Sequence, residues 1–393
     1  MTTHICLLTN RHWLFDGRVI NHACALGAAG FQITIADCGR PPEWYRARAG
    51  TGDPAGYLPP TCMVRRIEDS TQALPMPMQQ LIRRQFRWWL HRNRVRQLAA
   101  ISADVYQAAD LLTARYSLRV AAQTGARVVY DIRDLYSAEW EGAHPSRVRR
   151  RAIAQEADAV RRADARLTVC NGLARLVAER YTLPLPQVIR SCRDPVPAEA
   201  TGPDVRSAIG LDTKTPLLVH TGHSERGRAL EEMVDIVRRL PGVHLALVGQ
   251  QEGVDMVGRA IDPSVGARVH VVPALPAPEV PAFIRSADAA VIYLRPVSVN
   301  MRYALPNKFF EAIAAGLPLA ISDGEEFRPL IRQYQLGVVF DPADRTAAVA
   351  AVGAVLRDRG RYREAVRSAA AQLCWHRESA AYVQLYRDLL RAR

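Results

Sequence analysis

The segment Tyr303-Ala-Leu-Pro-Asn-Lys-Phe-Phe-Glu-Ala-Ile-Ala-Ala-Gly-Leu-Pro318 runs directly into the apolar stretch from Leu319 to Ser322. Its pattern predicts a helix from Asn307 to Ala315 that begins after Pro306 and ends at Gly316. The apolar stretch is short and predicts a buried strand. A helix that leads through a glycine into a buried strand is typical of one unit of a parallel α/β sheet.

Two series of such strand and helix units can be traced along the chain. In the first, Asp16 is predicted to cap a helix that ends at Gly30. The elements predicted for the first series are strands from His4 to Thr9, Phe31 to Ala36, Leu111 to Thr113, Val128 to Asp131 and Leu167 to Val169, and a helix from Gly17 to Ala29. The elements predicted for the second series are strands from Leu217 to Thr221, Leu245 to Val248, Val269 to Val272, Ala289 to Leu294 and Leu319 to Ser322, and helices from Ala229 to Leu240 and Pro278 to Ser286. This alternation predicts an α/β fold with doubly wound parallel sheets.

The length of 393 residues exceeds what a single core usually supports, so we expect two Rossmann-like domains. The stretch from Arg193 to Pro203 contains several prolines and has the composition of a linker. Ligands of such sheets bind beyond the carboxyl ends of the strands. We therefore expect the two domains to face each other across a cleft.

The net charge of +13 calls for an anionic partner, which can be nucleic acid, acidic lipid or a phosphate-bearing ligand. Nearly all basic residues are arginines, and only Lys214 and Lys308 are lysines. A lysine retained in such a chain indicates a site that needs a compact ammonium group. The seven dispersed cysteines form no zinc-spaced cluster, and we expect them to be core thiols in a reducing cytoplasm.

Several patterns that mark other classes of protein do not occur in the sequence. No Gly-x-Gly-x-x-Gly follows the first strand of either series, and no Walker pattern occurs, which disfavours a dinucleotide-dependent dehydrogenase. No Asp-x-Asp pair occurs, so a bound divalent metal is not implied. The first residues do not suggest a signal peptide, and no apolar run is long enough to predict a transmembrane helix.

The predicted helix after Pro306 offers an anion site. The backbone N–H groups of its first turn attract phosphate, and Lys308 adds a point charge. Glu311 lies three residues further on, so both side chains can face the same side, where a carboxylate can accept hydrogen bonds from the hydroxyls of a ribose. The alternative is that Lys308 and Glu311 form only a surface ion pair.

A second candidate element runs from Thr221 to Arg228, directly after the first strand of the second series. Gly222 permits a close backbone approach, and Arg226 can bind a diphosphate through paired hydrogen bonds. The strand ends at Gly249 and Pro273 can offer backbone groups to a nucleobase edge. Together with Lys308, these elements predict a site for a nucleoside diphosphate.

These motifs, taken in order, resemble glycosyltransferase family 4, the retaining enzymes of the GT-B fold, over nearly the whole chain. In the first half the similar segments are Phe15 to Val19, Asp104 to Asp110 and Val128 to Leu135. In the second half they are Gly222 to Gly227, Val248-Gly249, Ala287-Asp288 and Leu305 to Glu311. The tail from Trp375 to Leu390 is similar to the family's last helix, which crosses back onto the first domain.

The resemblance implies that residues 204–374 bind the nucleotide sugar, and that residues 1–195, with a crossing helix over 375–393, bind the acceptor. It implies a metal-independent hexosyltransferase without a cofactor, which uses a UDP-sugar by default and a carbohydrate or glycolipid acceptor. The catalytic candidates are Arg226, Lys308, Asp110 and Arg133. The donor-binding candidates are Gly222, His223, Arg226, Gly249, Pro273, Leu305, Asn307, Lys308 and Glu311. The acceptor-side candidates are Asp16, Arg18 and Asp134.

The chain departs from the family at several site positions. Of the family's two glutamates eight positions apart only Glu311 is present, since Tyr303 occupies the first place. His223 stands where an arginine is common. The residues that stand where the family often has histidines on the first-domain strands are Gln107, Ala109 and Arg133. We prefer an active transferase and keep two alternatives, a catalytically silent GT-B scaffold that binds nucleotide and a GT-B sugar-nucleotide epimerase.

The segment from Leu81 to Leu98 carries six arginines together with Phe86, Trp88 and Trp89, and no acidic residue occurs from Ser70 to Ala103. This composition suits a helix lying on an anionic lipid surface, which would place the protein on the inner face of the cell membrane. The alternative is a helix packed on its own domain, with arginine stems covering apolar surface. Nucleic acid is not expected as a partner.

Overall fold

The chain divides into two units in a computed structural model that describes residues 2–39, 54–67, 87–139, 146–222, 229–249, 261 and 264–392. The first unit comprises Met1–Ile189 and Ser379–Arg393, and the second comprises Arg190–Glu378. Each unit is built around one parallel sheet with helices between successive strands.

The sheet of the first unit has seven parallel strands in the order β3-β2-β1-β4-β5-β6-β7. Their bounds are β1 His4–Thr9, β2 Gln32–Asp37, β3 Cys62–Arg66, β4 Val105–Ala108, β5 Arg127–Ile132, β6 Ala165–Thr168 and β7 Gln187–Val188. Strand β1 is almost entirely buried because β2 and β4 flank it and its residues are mostly apolar. The order of strands reverses between β1 and β4, and ligands of such sheets bind at this kind of reversal.

The sheet of the second unit has six parallel strands in the order β10-β9-β8-β11-β12-β13. Their bounds are β8 Leu217–Thr221, β9 His244–Val248, β10 Val269–Val272, β11 Ala289–Ile292, β12 Leu319–Ser322 and β13 Gly337–Phe340. Here the order reverses between β8 and β11, so the loops that follow these two strands diverge. The second unit therefore has its own reversal point for a ligand.

The helices connect the strands and cover the sheets. In the first unit they are α1 Gly17–Ala28, α2 Arg87–Ala99, α3 Leu111–Thr124, α4 Tyr136–Glu139, α5 Arg147–Arg162 and α6 Asn171–Tyr181. Later in the chain they are α7 Val205–Ile209, α8 Leu230–Arg239, α9 Val280–Ile284, α10 Val299–Arg302, α11 Asn307–Ala314, α12 Phe327–Tyr334, α13 Arg345–Arg357, α14 Arg359–Ala370 and α15 Trp375–Arg391. Short 3-10 turns lie at Trp13–Phe15, Pro54–Tyr57 and Gly266–Arg268.

One predicted strand is wrong, and its failure has a local cause. Residues Leu111–Thr113 are the first turn of α3, not a strand. Asp110 caps this helix, because its Oδ1 accepts a hydrogen bond from the Thr113 N–H at 2.8 Å while its own N–H donates to Thr113 Oγ1 at 3.0 Å. This reciprocal pair fixes a helix start, and it overrides the strand preference of the apolar residues after Asp110. The other predicted strands are confirmed, most within a residue or two.

Helix α2 contains residues 87–98 of the arginine-rich segment that runs from Leu81 to Leu98. Val95 and Leu98 are buried in a core cluster of the first unit with Tyr106. The Arg94 guanidinium lies over the Tyr116 ring, 5.8 Å from its centroid, and its Nη1 donates to the phenol oxygen at 3.2 Å. This part of the helix thus packs on its own unit. Residues 81–86 lie outside the described residues, and the contact with lipid stays a prediction.

The last helix, α15, starts in the second unit and belongs to the first unit from Ser379 onward. Tyr382 and Tyr386 are fully buried there, and the hydroxyl of each donates a hydrogen bond to Oε1 of Gln107 on β4. The ring of His22 stacks on Tyr382 with the centroids 4.0 Å apart. A helix that crosses back to the first unit is therefore present, as the resemblance implied.

Candidate functional site

Helix α11 starts close to its predicted position, next to the reversal point of the second sheet. Pro306 is its N-cap, with φ −74° and ψ 156°, and provides no capping side chain. Because the first amides of a helix lack intrahelical acceptors, an uncapped start favours an anion. Gly316, at φ +69°, follows the C-cap Ala315 in the left-handed conformation that glycine adopts at low cost.

Lys308 is buried against β8 and is only 6% exposed. Its Nζ lies 2.9 Å from Nε2 of His220, and Nδ1 of the same ring lies 2.8 Å from the carbonyl oxygen of Val291 on β11. The helix dipole makes the N-terminal end of α11 positive, and the Lys308 ammonium group adds its charge to that positive potential. Such an arrangement is suited to a bound anion.

Glu311 lies one turn after Lys308 and is 8% exposed. Its Oε2 accepts a hydrogen bond of 2.7 Å from Oγ1 of Thr221, the last residue of β8. Both charged side chains are therefore buried and contact β8, and the alternative of a surface ion pair is wrong. A carboxylate has more acceptor sites than this one bond uses, so Glu311 retains the capacity to bind hydroxyl groups.

Two glycines follow the ends of neighbouring strands at this site. Gly222, at φ +101°, comes after β8, and Gly249, at φ +96°, comes after β9. A Cβ added to Gly249 would lie 3.4 Å from the backbone nitrogen of Gly222, which is close to ordinary contact, so the positive φ is what favours glycine at both positions. Their N–H groups donate to Val248 and Val272, which continues the pairing of the strands.

The remaining donor-side candidates differ in exposure. Leu305 is buried, whereas Asn307, the first residue of α11, and Pro273, directly after β10, are exposed. Two further candidates, His223 and Arg226, lie outside the described residues. The structure thus brings Lys308, Glu311 and Gly222 together around the end of β8.

Sequence reasoning did not identify His220, and it included Thr221 only as the first residue of the candidate element from Thr221 to Arg228, although both contact the predicted pair. His220 is 2% exposed inside the otherwise apolar stretch of β8. An ionisable side chain in a fully buried strand needs a hydrogen-bond partner. The sequence could therefore have indicated that His220 contacts another polar group. Only the fold shows that the partners are Lys308 and Val291.

Two of the acceptor-side candidates, Asp16 and Arg18, belong to a network of ion pairs with Asp131 and Arg133. The Arg18 guanidinium donates two hydrogen bonds of 2.8 Å to Asp131 and one of 2.7 Å to the carbonyl oxygen of Ile189. Arg133 donates to Asp131 at 3.1 Å and to Asp16 at 2.8 Å. Burial opposes ionisation of Asp131, yet Arg18 and Arg133 together hold its pKa well below the usual value.

Two of these candidates, Arg18 and Asp16, are buried and hold other side chains in place. Arg18 is 2% exposed and its guanidinium holds Asp131, and its predicted contact with an acceptor stays a prediction. Asp16 is 4% exposed and accepts from the Val19 N–H at 3.2 Å, as expected of an N-cap. Burial opposes ionisation of Asp16, but the Arg133 guanidinium outweighs it and keeps the pKa below its usual value.

Three candidates at the carboxyl ends of β4 and β5 are more accessible. The Arg133 side chain is 22% exposed, and Asp134 is exposed. Asp110 is partly exposed and caps α3, and burial raises its pKa above the usual value. Asp110, Arg133 and Asp134 thus lie on the loops that follow two neighbouring strands.

A cavity in the second unit lies beyond the ends of β11, β12 and β13, with a volume of about 750 Å³. Its ionisable lining residues are Arg302, Arg328, Arg332, Asp323, Glu325 and Asp341, so acidic and basic groups are equal in number. Arg328 Nε also donates to Asp323 at 2.6 Å. This cavity offers no excess of positive charge for a diphosphate, unlike the start of α11. Within the described ranges, no three His, Cys, Asp or Glu side chains group as metal ligands.

Comparison with known proteins gives one family match and many similar folds. Residues 216–358, which span β8 to α13, match the family model described as glycosyl transferases group 1. No curated protein sequence matches the chain at a significant level.

Solved structures resemble the chain over nearly its whole length. Sucrose-phosphate synthase from Thermosynechococcus elongatus superposes with a TM-score of 0.75 at 18% identity and covers 100% of both chains. HepE from Anabaena superposes with a TM-score of 0.69 at 12% identity, and the match covers 98% of this chain and 99% of HepE. TarM from S. aureus superposes with a TM-score of 0.70 at 6% identity, and the match covers 98% of this chain and 100% of TarM.

The two parallel sheets and these likenesses establish a two-domain α/β protein of the GT-B fold. The family match over residues 216–358 includes the strand and helix that carry His220, Lys308 and Glu311. Taken together, the matched segment and the fold support a glycosyltransferase. None of the described helices combines the length and the hydropathy that a membrane-spanning helix requires.

Proposed function

We propose that this protein transfers a sugar from a nucleoside diphosphate sugar, with a UDP-sugar as the default donor, to a hydroxyl group of a carbohydrate or glycolipid. The observation that carries the proposal is the buried group of Lys308, His220 and Glu311 at the uncapped start of α11. This group combines a cation, a helix N-terminus and a carboxylate, which are the features needed to bind a nucleoside diphosphate.

Each part of the donor has a partner in this proposal. Lys308 and the first amides of α11 bind the diphosphate, and Glu311 accepts hydrogen bonds from the ribose hydroxyls. Gly222 and Gly249 let the ligand approach the backbone, and the base lies towards Pro273. Arg226 and His223 add donors to the diphosphate, as the family resemblance implies. HepE, which has a similar fold, was solved with UDP-glucose and with UDP, and this supports the choice of donor.

The proposed reaction retains the configuration at the sugar carbon. The bond from that carbon to the diphosphate breaks, and its electron pair leaves with the diphosphate. The acceptor oxygen bonds to the same face of the carbon, and its proton passes to the leaving phosphate. Lys308 and Arg226 stabilise the departing charge without a divalent metal, so the enzyme supplies position and electrostatics.

The acceptor binds to the first unit in this proposal. Arg133 and Asp134 contact it, Asp110 is a catalytic candidate beside them, and Asp16 holds the Arg133 guanidinium in place. TarM, which shares the fold, was solved with fondaparinux and α-GlcNAc-glycerol, which supports a carbohydrate acceptor.

A contact of residues 81–98 with anionic lipid belongs to the same proposal, and it would place the protein at the cytoplasmic face of a membrane. The arginines of this segment and the net charge of +13 support it. In a liposome flotation assay we expect binding to vesicles with acidic lipid, weakened by salt, and none to neutral vesicles. Absence of binding to acidic vesicles at low salt would contradict this part.

The central test measures nucleotide binding and donor turnover in matched lysine variants. Wild type and Lys214→Ala, which changes the exposed lysine, should be stabilised by UDP in a thermal-shift screen that includes GDP, ADP and TDP. Lys308→Ala should weaken UDP binding by about tenfold to a hundredfold, because hydrogen bonds to charged groups contribute about 1.5–3 kcal/mol. It should also abolish UDP release from UDP-glucose. No stabilisation of the wild type by any of the four nucleotides, or a magnesium requirement, would contradict the proposal.

A second candidate function, a nucleotide-binding scaffold without turnover, is favoured by one observation. Gln107 stands where the family often has a histidine, and its side chain is already bonded to Tyr382, Tyr386 and His22. Gln107 therefore does not take over the role of the missing histidine. UDP binding without measurable release of UDP from UDP-sugars would favour the scaffold.

A further inference from the structure

We infer that His220 is a positioning residue that stays neutral and holds the Lys308 ammonium group in place for the diphosphate. This inference rests on the proposed function for the role of Lys308, but its structural part can be tested without any nucleotide. The starting observation is the chain of contacts from the Val291 carbonyl through the His220 ring to Lys308 Nζ.

The contacts of the ring determine its tautomer. The Val291 carbonyl oxygen can only accept a hydrogen bond, so Nδ1 of His220, 2.8 Å away, must carry a proton and donate it. In a neutral imidazole the other nitrogen then has no proton. Nε2 is therefore an acceptor, and Lys308 Nζ at 2.9 Å is the donor.

The alternative protonation state places the charge on the ring and leaves the lysine neutral. The usual pKa of lysine exceeds that of histidine by about 4 units, so the proton that they share belongs on lysine. A doubly charged pair is disfavoured because two cations would face each other across a single buried contact. The ring is therefore neutral and Lys308 is charged.

This geometry gives His220 a specific task. A lysine side chain has several rotatable bonds, and it loses rotamer freedom when its end is held in one place. With the 2% exposed ring fixed to β11 by Val291, Nε2 presents one lone pair to the ammonium group. Lys308 thus remains beside the start of α11 before any ligand binds, and less entropy is lost on binding.

Two amide substitutions separate this task from simple packing. The side-chain oxygen of His220→Gln can reach the position of Nε2 and accept from Lys308. His220→Asn reaches only the position of Nδ1, so it keeps a donor for Val291 but withdraws the acceptor from Lys308. We expect His220→Gln to bind UDP within about threefold of wild type, and His220→Asn to bind it about tenfold or more weakly, as loss of a hydrogen bond to a charged group predicts.

A double variant tests whether His220 acts through Lys308. If it does, His220→Asn combined with Lys308→Ala should bind UDP no more weakly than Lys308→Ala alone. Uridine, which lacks the diphosphate, should bind equally to all variants, and circular dichroism with thermal melts checks that each one folds. Additive losses, or equal losses in the Gln and Asn variants, would overturn the inference.

The tautomer can be measured directly in the full chain. Long-range ¹H–¹⁵N correlation NMR of ¹⁵N-histidine-labelled protein, with the His220 signals assigned by their loss in His220→Gln, should show a neutral ring protonated at Nδ1 from pH 6 to 8. A ring protonated at Nε2 would refute the inference even if UDP binds. Conversely, failure of the wild type to bind any nucleotide, with the Nδ1–H tautomer observed, would refute the proposed function and leave the ring geometry intact.

Discussion

The Thr221 hydroxyl donates a 2.7 Å hydrogen bond to Oε2 of Glu311, and this contact ties the last residue of β8 to the second turn of α11. Both side chains are buried, at 6% and 8% exposure. The bond fixes the orientation of the carboxylate at the reversal point of the sheet. The protein therefore sets the position of the carboxylate to which our proposal assigns the ribose hydroxyls.

Thr221→Val should lower the free energy of unfolding by about 1.5–3 kcal/mol, because it removes a hydrogen-bond donor from a buried carboxylate while keeping the shape of the side chain. Chemical denaturation at neutral pH measures the change. Thr221→Ser keeps the hydroxyl group and serves as the control, with an expected loss below about 1 kcal/mol. Equal losses in the two variants would assign the effect to packing and not to the hydrogen bond.

Glu311→Gln should weaken UDP binding by about tenfold if the carboxylate accepts hydrogen bonds from the ribose. The test pairs the variant with 2′,3′-dideoxy-UDP, which lacks the two hydroxyl groups. Titration calorimetry should show that the substitution costs little affinity for the dideoxy compound, because the contact is already missing. A tenfold loss for both ligands would mean that Glu311 acts elsewhere.

Local patterns were sufficient to predict most strands and the position of α11. Lys308 and Glu311 could be paired from their spacing alone, because residues three apart lie on one face of a helix. The partners that make the site could not be found this way. Thr221 and Glu311 are 90 residues apart, and Gln107 and Tyr386 are 279 residues apart, so only the folded sheet brings them together.

The burial of Arg18 shows a second limit of sequence analysis. An arginine at the start of a helix near a strand end looks like a ligand contact, since arginines usually remain exposed. The partner that permits its burial is Asp131, 113 residues further along the chain. A buried pair of this kind is encoded in tertiary contacts and leaves no local periodicity.

Asp37 provides a prediction about pH. This carboxyl is 3% exposed, and burial raises its pKa from 3.8 to about 6, although the Gly39 N–H donates to it at 2.9 Å. The folded state therefore holds a proton between pH 4 and 6 that the unfolded state has released. The contribution of Asp37 to stability is most favourable near pH 4 and falls as the pH rises to 6, by about 3 kcal/mol in total.

Asp37→Asn removes this titration. The free energy of unfolding of the variant minus that of wild type should rise between pH 4 and 6 and level off above it, as measured by urea denaturation. The neighbouring His12, whose Nε2 lies 3.8 Å from Asp37 Oδ2, has a pKa lowered to about 4 by burial and Arg66, so its own contribution has the opposite sign. Because the two side chains interact, the same difference is also measured in a His12→Gln background. A difference that is flat across this range would show that Asp37 titrates at its ordinary pKa.

Gln107→Leu should destabilise the first unit, because it removes the acceptor that Tyr382 and Tyr386 share and the amide that contacts His22 Nδ1 at 2.8 Å. Each buried hydrogen bond lost without replacement costs about 1–3 kcal/mol, so for the three bonds we expect a fall of about 3–9 kcal/mol in the free energy of unfolding. Hydrogen exchange should show the largest loss of protection in α15, which carries both tyrosines. In the Tyr382→Phe, Tyr386→Phe background the same substitution should cost much less, since two donors are already gone. Equal costs in both backgrounds would mean that Gln107 stabilises the unit by packing and does not hold the last helix through these hydroxyl groups.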